Sequence, residues 1–168
     1  DGNRSVKYSS SGESLYFNAM WQESTDYPSF RRSKHLYLGQ TRIATRCNIE
    51  GRLDVGYEEL NTYYYHADHL GSAQLVTDSK GEVYEHMEYT PYGELWIEQT
   101  NDSAEKIPFR FTGKELDSET GLYYYGARYM DPKTSRWLSA DPALESYLPE
   151  APTSDAARRR NGALPALA

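Results

Sequence analysis

Gly121-Leu122-Tyr123-Tyr124-Tyr125-Gly126-Ala127-Arg128-Tyr129-Met130-Asp131-Pro132, followed by Arg136-Trp137-Leu138-Ser139-Ala140-Asp141-Pro142, is the stretch on which the fold turns. Between Gly121 and the Asp131-Pro132 breaker, the run from Leu122 to Met130 has no proline and is dense in tyrosine, which predicts a β-strand. Period-two alternation then puts Leu122, Tyr124, Arg128 and Met130 on one face and Tyr123, Tyr125, Ala127 and Tyr129 on the other. Both faces are largely apolar, as suits a strand covered on both sides or lining an enclosed space. Arg128 is the exception. A desolvated guanidinium needs a partner, and those expected are a cation–π contact with Tyr124 or a neighbouring aromatic, or a carboxylate such as Asp117 or Glu119 on an adjoining strand.

The rest of the composition agrees with a β protein. The 168 residues include 16 Tyr against 4 Phe, and Tyr favours half-wet strand surfaces where the ring packs and the hydroxyl finds a partner. A chain of this length is one domain, or a piece of a larger one. The net charge of −7 argues against a nucleic-acid footprint, since outside Arg158-Arg159-Arg160 there is no clustered basic stripe. Cys47 is the single cysteine, which excludes an internal disulfide and a thiolate metal cluster. Apolar runs fall far short of the ~20 residues a membrane helix requires, and the N-terminus lacks a signal-peptide pattern. A chain opening at Asp1 without Met reads as excised from something longer, with targeting signals upstream.

Along the chain, Ser5–Tyr8 and Glu13–Trp21 read as a hairpin, Glu23–Lys34 as a surface loop whose basic Arg31-Arg32-Ser33-Lys34 is a solvated tip, and His35–Gln40 and Thr41–Arg46 as strands. A polar connection over Asn48–Glu59 leads to the strand-like runs Thr62–Ser72 and Ala73–Asp78. The tetrapeptide Asp78-Ser79-Lys80-Gly81 is a hairpin turn closing on a left-handed glycine, before a strand over Glu82–Tyr89. Thr90-Pro91-Tyr92-Gly93 turns the chain again toward Glu94–Ile97. Glu98–Lys106 is a loop, Pro108–Lys114 a strand and Asp117–Gly121 a turn. Beyond Pro142 the chain becomes a loose tail with Pro149 and Pro152, able to hold one short helix over Ser154–Arg160. Polar turns ending in glycine recur at Ser10–Glu13, Asn48–Gly51 and Ser79–Glu82, without constant spacing. The fold expected is therefore all-β, with stacked antiparallel hairpins winding along an axis.

Three other constellations bear on function. His66, Asp68 and His69 have the residue types of a metal site, but on a strand His69 points away from the other two, so a turn after the tyrosine triplet is the reading preferred and no metal or cofactor is called for. Glu82, Glu85 and Glu88 suit a solvated strand face better than a glycosidase pair. Trp21, Trp96 and Trp137, if gathered in one open groove, would instead mark a surface adhesion or carbohydrate-binding module without catalysis.

The ordered set Tyr64-Tyr65-His66-Ala67-Asp68-His69-Leu70-Gly71-Ser72, Tyr89-Thr90-Pro91-Tyr92-Gly93, Phe111-Thr112-Gly113-Lys114-Glu115-Leu116-Asp117 and Gly121–Tyr129, with Asp131-Pro132, Arg136-Trp137-Leu138 and Asp141-Pro142, closely resembles the Rhs repeat-associated core domain of the YD-repeat proteins. That family includes bacterial polymorphic toxins and the C components of insecticidal toxin complexes. The resemblance covers residues 63–144, with YD-repeat-like strands over 1–62 and a tail over 145–168. It implies a hollow β-spiral shell that encloses a C-terminal toxin segment and closes at one end with an aspartyl autoprotease. By motif, Arg128 and Asp141 belong to that site. A second family Asp, in a later Asp-Pro-x-Gly motif, has no counterpart here, and Asp131 is a weak substitute.

Two carboxylates sharing a proton let one act as base on water while the other donates to the scissile carbonyl, with an Arg holding one in the charged form. A single Asp does not supply both states, so this chain alone is expected to be inactive, with at most a partial site. The partners implied are the rest of its own shell and the C-terminal toxin segment, and delivery-system or cell-surface proteins beyond them. Nucleic acid and a membrane span are not among them. The location implied is secreted or at the cell surface.

Overall fold

The computed structural model describes residues 4–10, 12–25, 30–49, 55–101 and 106–144, together with 155 and 159. Nine strands form one antiparallel sheet: β1 (Val6–Ser9), β2 (Gly12–Asn18), β3 (Trp21–Ser24), β4 (Arg31–Leu38), β5 (Thr41–Ile49), β6 (Thr62–Ala67), β7 (Ala73–Thr77), β8 (Val83–Tyr89) and β9 (Leu95–Thr100). Their order in the sheet is their order in the chain. A second, four-stranded antiparallel sheet holds β10 (Glu115–Asp117), β11 (Leu122–Tyr124), β12 (Tyr129–Asp131) and β13 (Arg136–Trp137), again in chain order. The expected all-β architecture of stacked hairpins is therefore present.

Turn chemistry sets the hairpins. Asp78 accepts the backbone N–H of Lys80 and Glu82 on Oδ1, both at 2.9 Å, while Gly81 N–H closes the turn onto the Asp78 carbonyl at 3.1 Å. Asp68 does the same for Leu70 and Ser72 at 2.8 Å. Thr90 serves Glu94 at 3.2 Å, and Gly93 N–H reaches the Thr90 carbonyl at 2.9 Å. A short polar side chain thus supplies the acceptor and a glycine, three residues on, the left-handed backbone. This Asp/Thr-x-x-Gly turn at 68, 78 and 90 repeats the same chemistry without constant spacing, as the glycine-ended turns read from the sequence did; part of those, around residues 50–51, lies outside the described residues.

Several expected elements differ. Leu122–Met130 is not one strand. It breaks at Gly126, whose φ of +85° turns the backbone, and β11 folds back on β12 with Tyr123 opposite Met130 and Tyr124 opposite Tyr129. The two-face pattern over the whole run fails with it, since Tyr123 and Met130 now share the buried side. Pro108–Lys114 is likewise no strand. Phe109 makes one bridge to Glu115, and Phe111–Gly113 is a 3₁₀ turn with Thr112 in the left-handed region. The run Arg31–Lys34 is not a solvated tip: it opens β4, where Arg32 pairs with Glu23 at 3.0 Å and Lys34 with Glu58 at 2.7 Å. Glu58 sits on α1 (Val55–Leu60), a helical turn within the connection expected to be irregular. Glu13–Trp21 divides at Ala19-Met20 into β2 and the start of β3, and β9 runs on to Thr100. The helix expected over 154–160 lies, but for Asp155 and Arg159, outside the described residues.

Two small cores meet at one tyrosine. Ala73, Val76, Met87 and Ile107 are buried together on β7, β8 and the segment after β9, and Phe111, Tyr123 and Met130 are buried against the second sheet. Tyr89 packs on both and donates its hydroxyl to the Ala73 carbonyl at 2.9 Å. Fully burying a side chain such as Val76 or Met87 is worth roughly 1.5–3 kcal/mol. Between β2 and β6, by contrast, the inward positions are mostly small and polar: Ser14, Ser24, Ser33, Thr45, Asn48 and Thr62 are all buried. That face is built to be satisfied by hydrogen bonds rather than by apolar packing.

Candidate functional site

Arg128 is held by the turn that splits its parent strand. The Tyr125 N–H donates to the Arg128 carbonyl at 2.9 Å, so the side chain leaves the loop beside β13 rather than along a continuous strand face. Its Nη2 lies 2.9 Å from Asp141 Oδ2, and its Cζ lies 4.1 Å from the centre of the Trp137 ring. The two residues singled out by motif are thus brought together. Of the partners read from the sequence for Arg128, the cation–π contact with an aromatic is met by Trp137, while the carboxylates named are engaged elsewhere: Asp117 is taken by Arg4 and Lys7, and Glu119 by Lys7.

Asp141 is also a turn residue. Its Oδ1 accepts the Ala143 N–H at 2.9 Å and its carbonyl accepts that of Leu144 at 2.9 Å. One carboxylate oxygen fixes the local backbone and the other meets the guanidinium. The pair is part-open, with side chains 22% and 30% exposed. Behind it the contacts continue inward: Trp137 stands edge-on to Tyr125 with centroids 4.9 Å apart, Tyr125 Oη shares a hydrogen bond of 2.6 Å with Thr112 Oγ1, and the Thr112 N–H donates to Ser72 Oγ at 3.1 Å. Ser72 is fully buried. A rigid aromatic and hydroxyl stack therefore anchors Arg128 to the larger sheet. Asp131 belongs elsewhere, accepting from the Lys133 N–H at 2.9 Å and the Thr134 hydroxyl at 2.8 Å in its own exposed turn.

A second cluster, missed from the sequence, ties the first strand to the small sheet. Arg4 meets Asp117 at 2.9 Å and Glu115 at 2.9 Å, and its backbone N–H donates to Tyr124 Oη at 2.7 Å. Its guanidinium stacks 4.3 Å from Tyr124 and 5.0 Å from Tyr16, while Tyr16 donates its hydroxyl to Glu115 at 2.8 Å. Lys7 adds Asp117 and Glu119 at 3.3 and 3.2 Å. Burial opposes the Arg4 charge, yet Asp117 and Glu115 hold it above its ordinary value, and burial beside Glu115 pushes the Tyr16 hydroxyl up. The sequence signal was the spacing of Glu115, Asp117 and Glu119. Period two puts the three carboxylates on one side of the chain, where they need cations that only the fold could name.

The metal reading of His66, Asp68 and His69 gives way to other roles. His66 Nε2 shares a 3.1 Å hydrogen bond with Thr77 Oγ1, and Asp68 caps its turn. Trp21, Trp96 and Trp137 lie on β3, β9 and β13, across two sheets, and Trp96 and Trp137 are exposed. Among the described residues, no helix is long and apolar enough to cross a membrane.

The Teneurin YD-shell family model matches residues 50–157. The chain belongs to that family. Within it, the chain is 41% identical over 92 residues to toxin subunit YenC1 of Yersinia entomophaga, covering 54% of this chain and 9% of that protein. It is 42% identical over 89 residues to salivary gland surface protein 1 of Aedes aegypti, covering 52% of this chain and 3% of that protein. Among solved structures, the TcdB2-TccC3-TEV crystal structure superposes with a TM-score of 0.68 at 29% identity, over 85% of this chain and 7% of that one. The chain thus spans less than a tenth of these relatives. As a YD-shell segment of the Rhs and Tc toxin type, its role is a structural, shell-forming one.

Proposed function

We propose that this YD-shell segment forms part of the wall and one end of a chamber enclosing a C-terminal toxin, and that Arg128 and Asp141 are half of an aspartyl site that releases it. The observation that carries the reading is the 2.9 Å Arg128–Asp141 pair braced on Trp137. A carboxylate needed only as a turn residue has no use for a guanidinium fixed by an aromatic stack, whereas a carboxylate acting on water needs its orientation held. In this reading Asp141 takes a proton from the attacking water, and a second carboxyl group, supplied by downstream sequence, donates to the scissile peptide. The carbonyl carbon gains the hydroxyl and the amine leaves with the proton. Residues 1–62 contribute YD-repeat strands, 63–144 the core and 145–168 a tail leading to the cut. The partners are the rest of the shell and its cargo, and the location is extracellular or at the cell surface.

Intact-mass measurement on the chain carrying its native downstream sequence tests this reading. The parent is expected to arrive as two fragments and Asp141→Ala as one uncut chain. Two whole chains, or cutting that survives in Asp141→Ala, would remove the site from the proposal.

A further inference from the structure

A cleft of about 760 Å³ opens between β2–β5 and the Phe109–Gly126 segment, and it is lined by Arg4, Arg42 and Lys114 against a single carboxylate, Glu115. Glu115 is already engaged by Arg4 and Tyr16. Arg42 and Lys114 have no carboxylate partner among the described residues. Arg42 lies flat over Phe109, its Cζ 3.4 Å from the ring centre, and donates to Tyr37 Oη at 2.7 Å and weakly to the Gly113 carbonyl at 3.5 Å. Two of its five N–H donors are thus engaged, while Nε is buried without a hydrogen-bond partner.

His35, 6% exposed, packs edge-on to the same Phe109 ring at 5.0 Å and also lines the cleft, and its Nε2 has no partner either. Behind it runs a hydrogen-bond chain: His35 Nδ1 lies 2.9 Å from Thr45 Oγ1, which lies 3.1 Å from Tyr65 Oη. Both directions of donation fit this chain; with Thr45 donating to Nδ1, the imidazole proton sits on Nε2 as a donor without a partner, and that is the tautomer an acceptor in the cleft would select. Arg4 Nε is orphaned in the same cleft. Two buried guanidinium donors and an unpartnered imidazole nitrogen around one cavity are unusual, because buried polar groups in folded proteins are nearly always paired. The guanidinium donors lack an oxygen acceptor, and His35 Nε2 joins them when it carries the imidazole proton.

We propose that this cleft is a binding site for the carboxylate of a peptide segment, received by Arg42 and His35 with Lys114 at the rim. The planar guanidinium held against Phe109 matches a planar carboxylate, and the aromatic walls supplied by Tyr16, Tyr37 and Tyr125 match peptide side chains around it. The site is separate from Arg128 and Asp141 and does not depend on their role.

NMR titration of the chain with N-acetyl-glutamate N-methylamide, its glutamine counterpart and inorganic phosphate is the test. The glutamate probe is expected to shift the Arg42 Nε–H and His35 Nε2–H resonances saturably, with the glutamine probe about tenfold weaker. Arg42→Gln should abolish the response, and Lys114→Gln, at an exposed position, should weaken it several-fold without disturbing the fold. Equal responses to the two peptide probes, no saturable shift, or a His35 proton found on Nδ1 would overturn the site. Phosphate binding as tightly as the glutamate probe would overturn its assignment to peptide and make it a free-anion site.

Discussion

Arg110 and Glu85 form an ion pair of 2.8 Å in which the arginine side chain is 3% exposed and the glutamate not at all. The Ile107 N–H donates to the other oxygen of Glu85 at 2.9 Å, Arg110 Nε donates to the Ile107 carbonyl at 2.8 Å, and Arg110 Nη1 reaches Glu98 at 2.7 Å. The network locks the segment after β9 onto β8. Removing Arg110 leaves the Glu85 carboxylate buried without its ion-pair partner. Arg110→Met is expected to destabilise the chain by about 3–5 kcal/mol, read from urea unfolding, and Arg110→Met with Glu85→Gln should recover part of that. A loss below about 1 kcal/mol would mean the pair is solvated.

Gly93 meets a tighter constraint than other turn glycines. Its φ is +86°, and a Cβ built there would lie 2.5 Å from Phe111 Cδ1. Gly71 has a similar φ of +83° but open space around it. Gly71→Ala should therefore lose only the backbone term of about 1–2 kcal/mol, whereas Gly93→Ala must also displace a core ring, adding about 1–3 kcal/mol. Equal losses in thermal melts would show that Phe111 yields freely.

Burial, with Arg42 and Arg31 adding repulsion, lowers the His35 imidazole from 6.5 to about 3. In the unfolded chain it takes its proton near the higher value. Between the two, the unfolded state binds more protons, so stability from this group is intact above about pH 6.5 and is lost as pH falls toward 3, by on the order of 5 kcal/mol in full. His35→Gln removes the titration. The stability advantage of the parent over that variant should shrink on acidification through this window; parallel pH curves would sink the account.

Asp141→Ala should leave the fold nearly untouched. The pair with Arg128 is part-exposed, and such pairs are worth about 0–1 kcal/mol. A shift in unfolding free energy within that range, together with lost self-cleavage, would separate a chemical role from a structural one; a shift of several kcal/mol would make any loss of cleavage uninformative.

Local chemistry was the legible part of this sequence. The Asp78–Gly81 turn and the hairpins around it follow from residues adjacent in the chain, as does the all-β class. Gly126 was visible inside the tyrosine-rich run, but its effect on register could not compete with the strand propensity of its neighbours until β12 supplied a pairing edge. The Arg128–Asp141 pair came from motif resemblance, not from spacing. The Arg4 clamp and the Arg110–Glu85 pair join residues distant in sequence, and nothing local to either partner marks them, whereas Trp137, which braces Arg128, is a near neighbour in the chain that the expected cation–π contact left unnamed. Buried small polar residues on β2–β6 misled in a different way, since serine and threonine at inward positions resemble surface strands in sequence.

The identity of strand order and chain order in the large sheet has a kinetic consequence. Each pairing from β1 to β9 joins consecutive strands, so every rung closes a short loop, and the sheet can grow from its N-terminal side as residues emerge from the ribosome. Arg4 is different, because its contact with Asp117 spans 113 positions. The segment leading into β1 waits for the small sheet to be synthesised before its clamp exists, which makes Arg4 a latch of assembly rather than its nucleus. Arg4→Ala should accordingly speed unfolding and leave the refolding rate nearly unchanged in stopped-flow experiments.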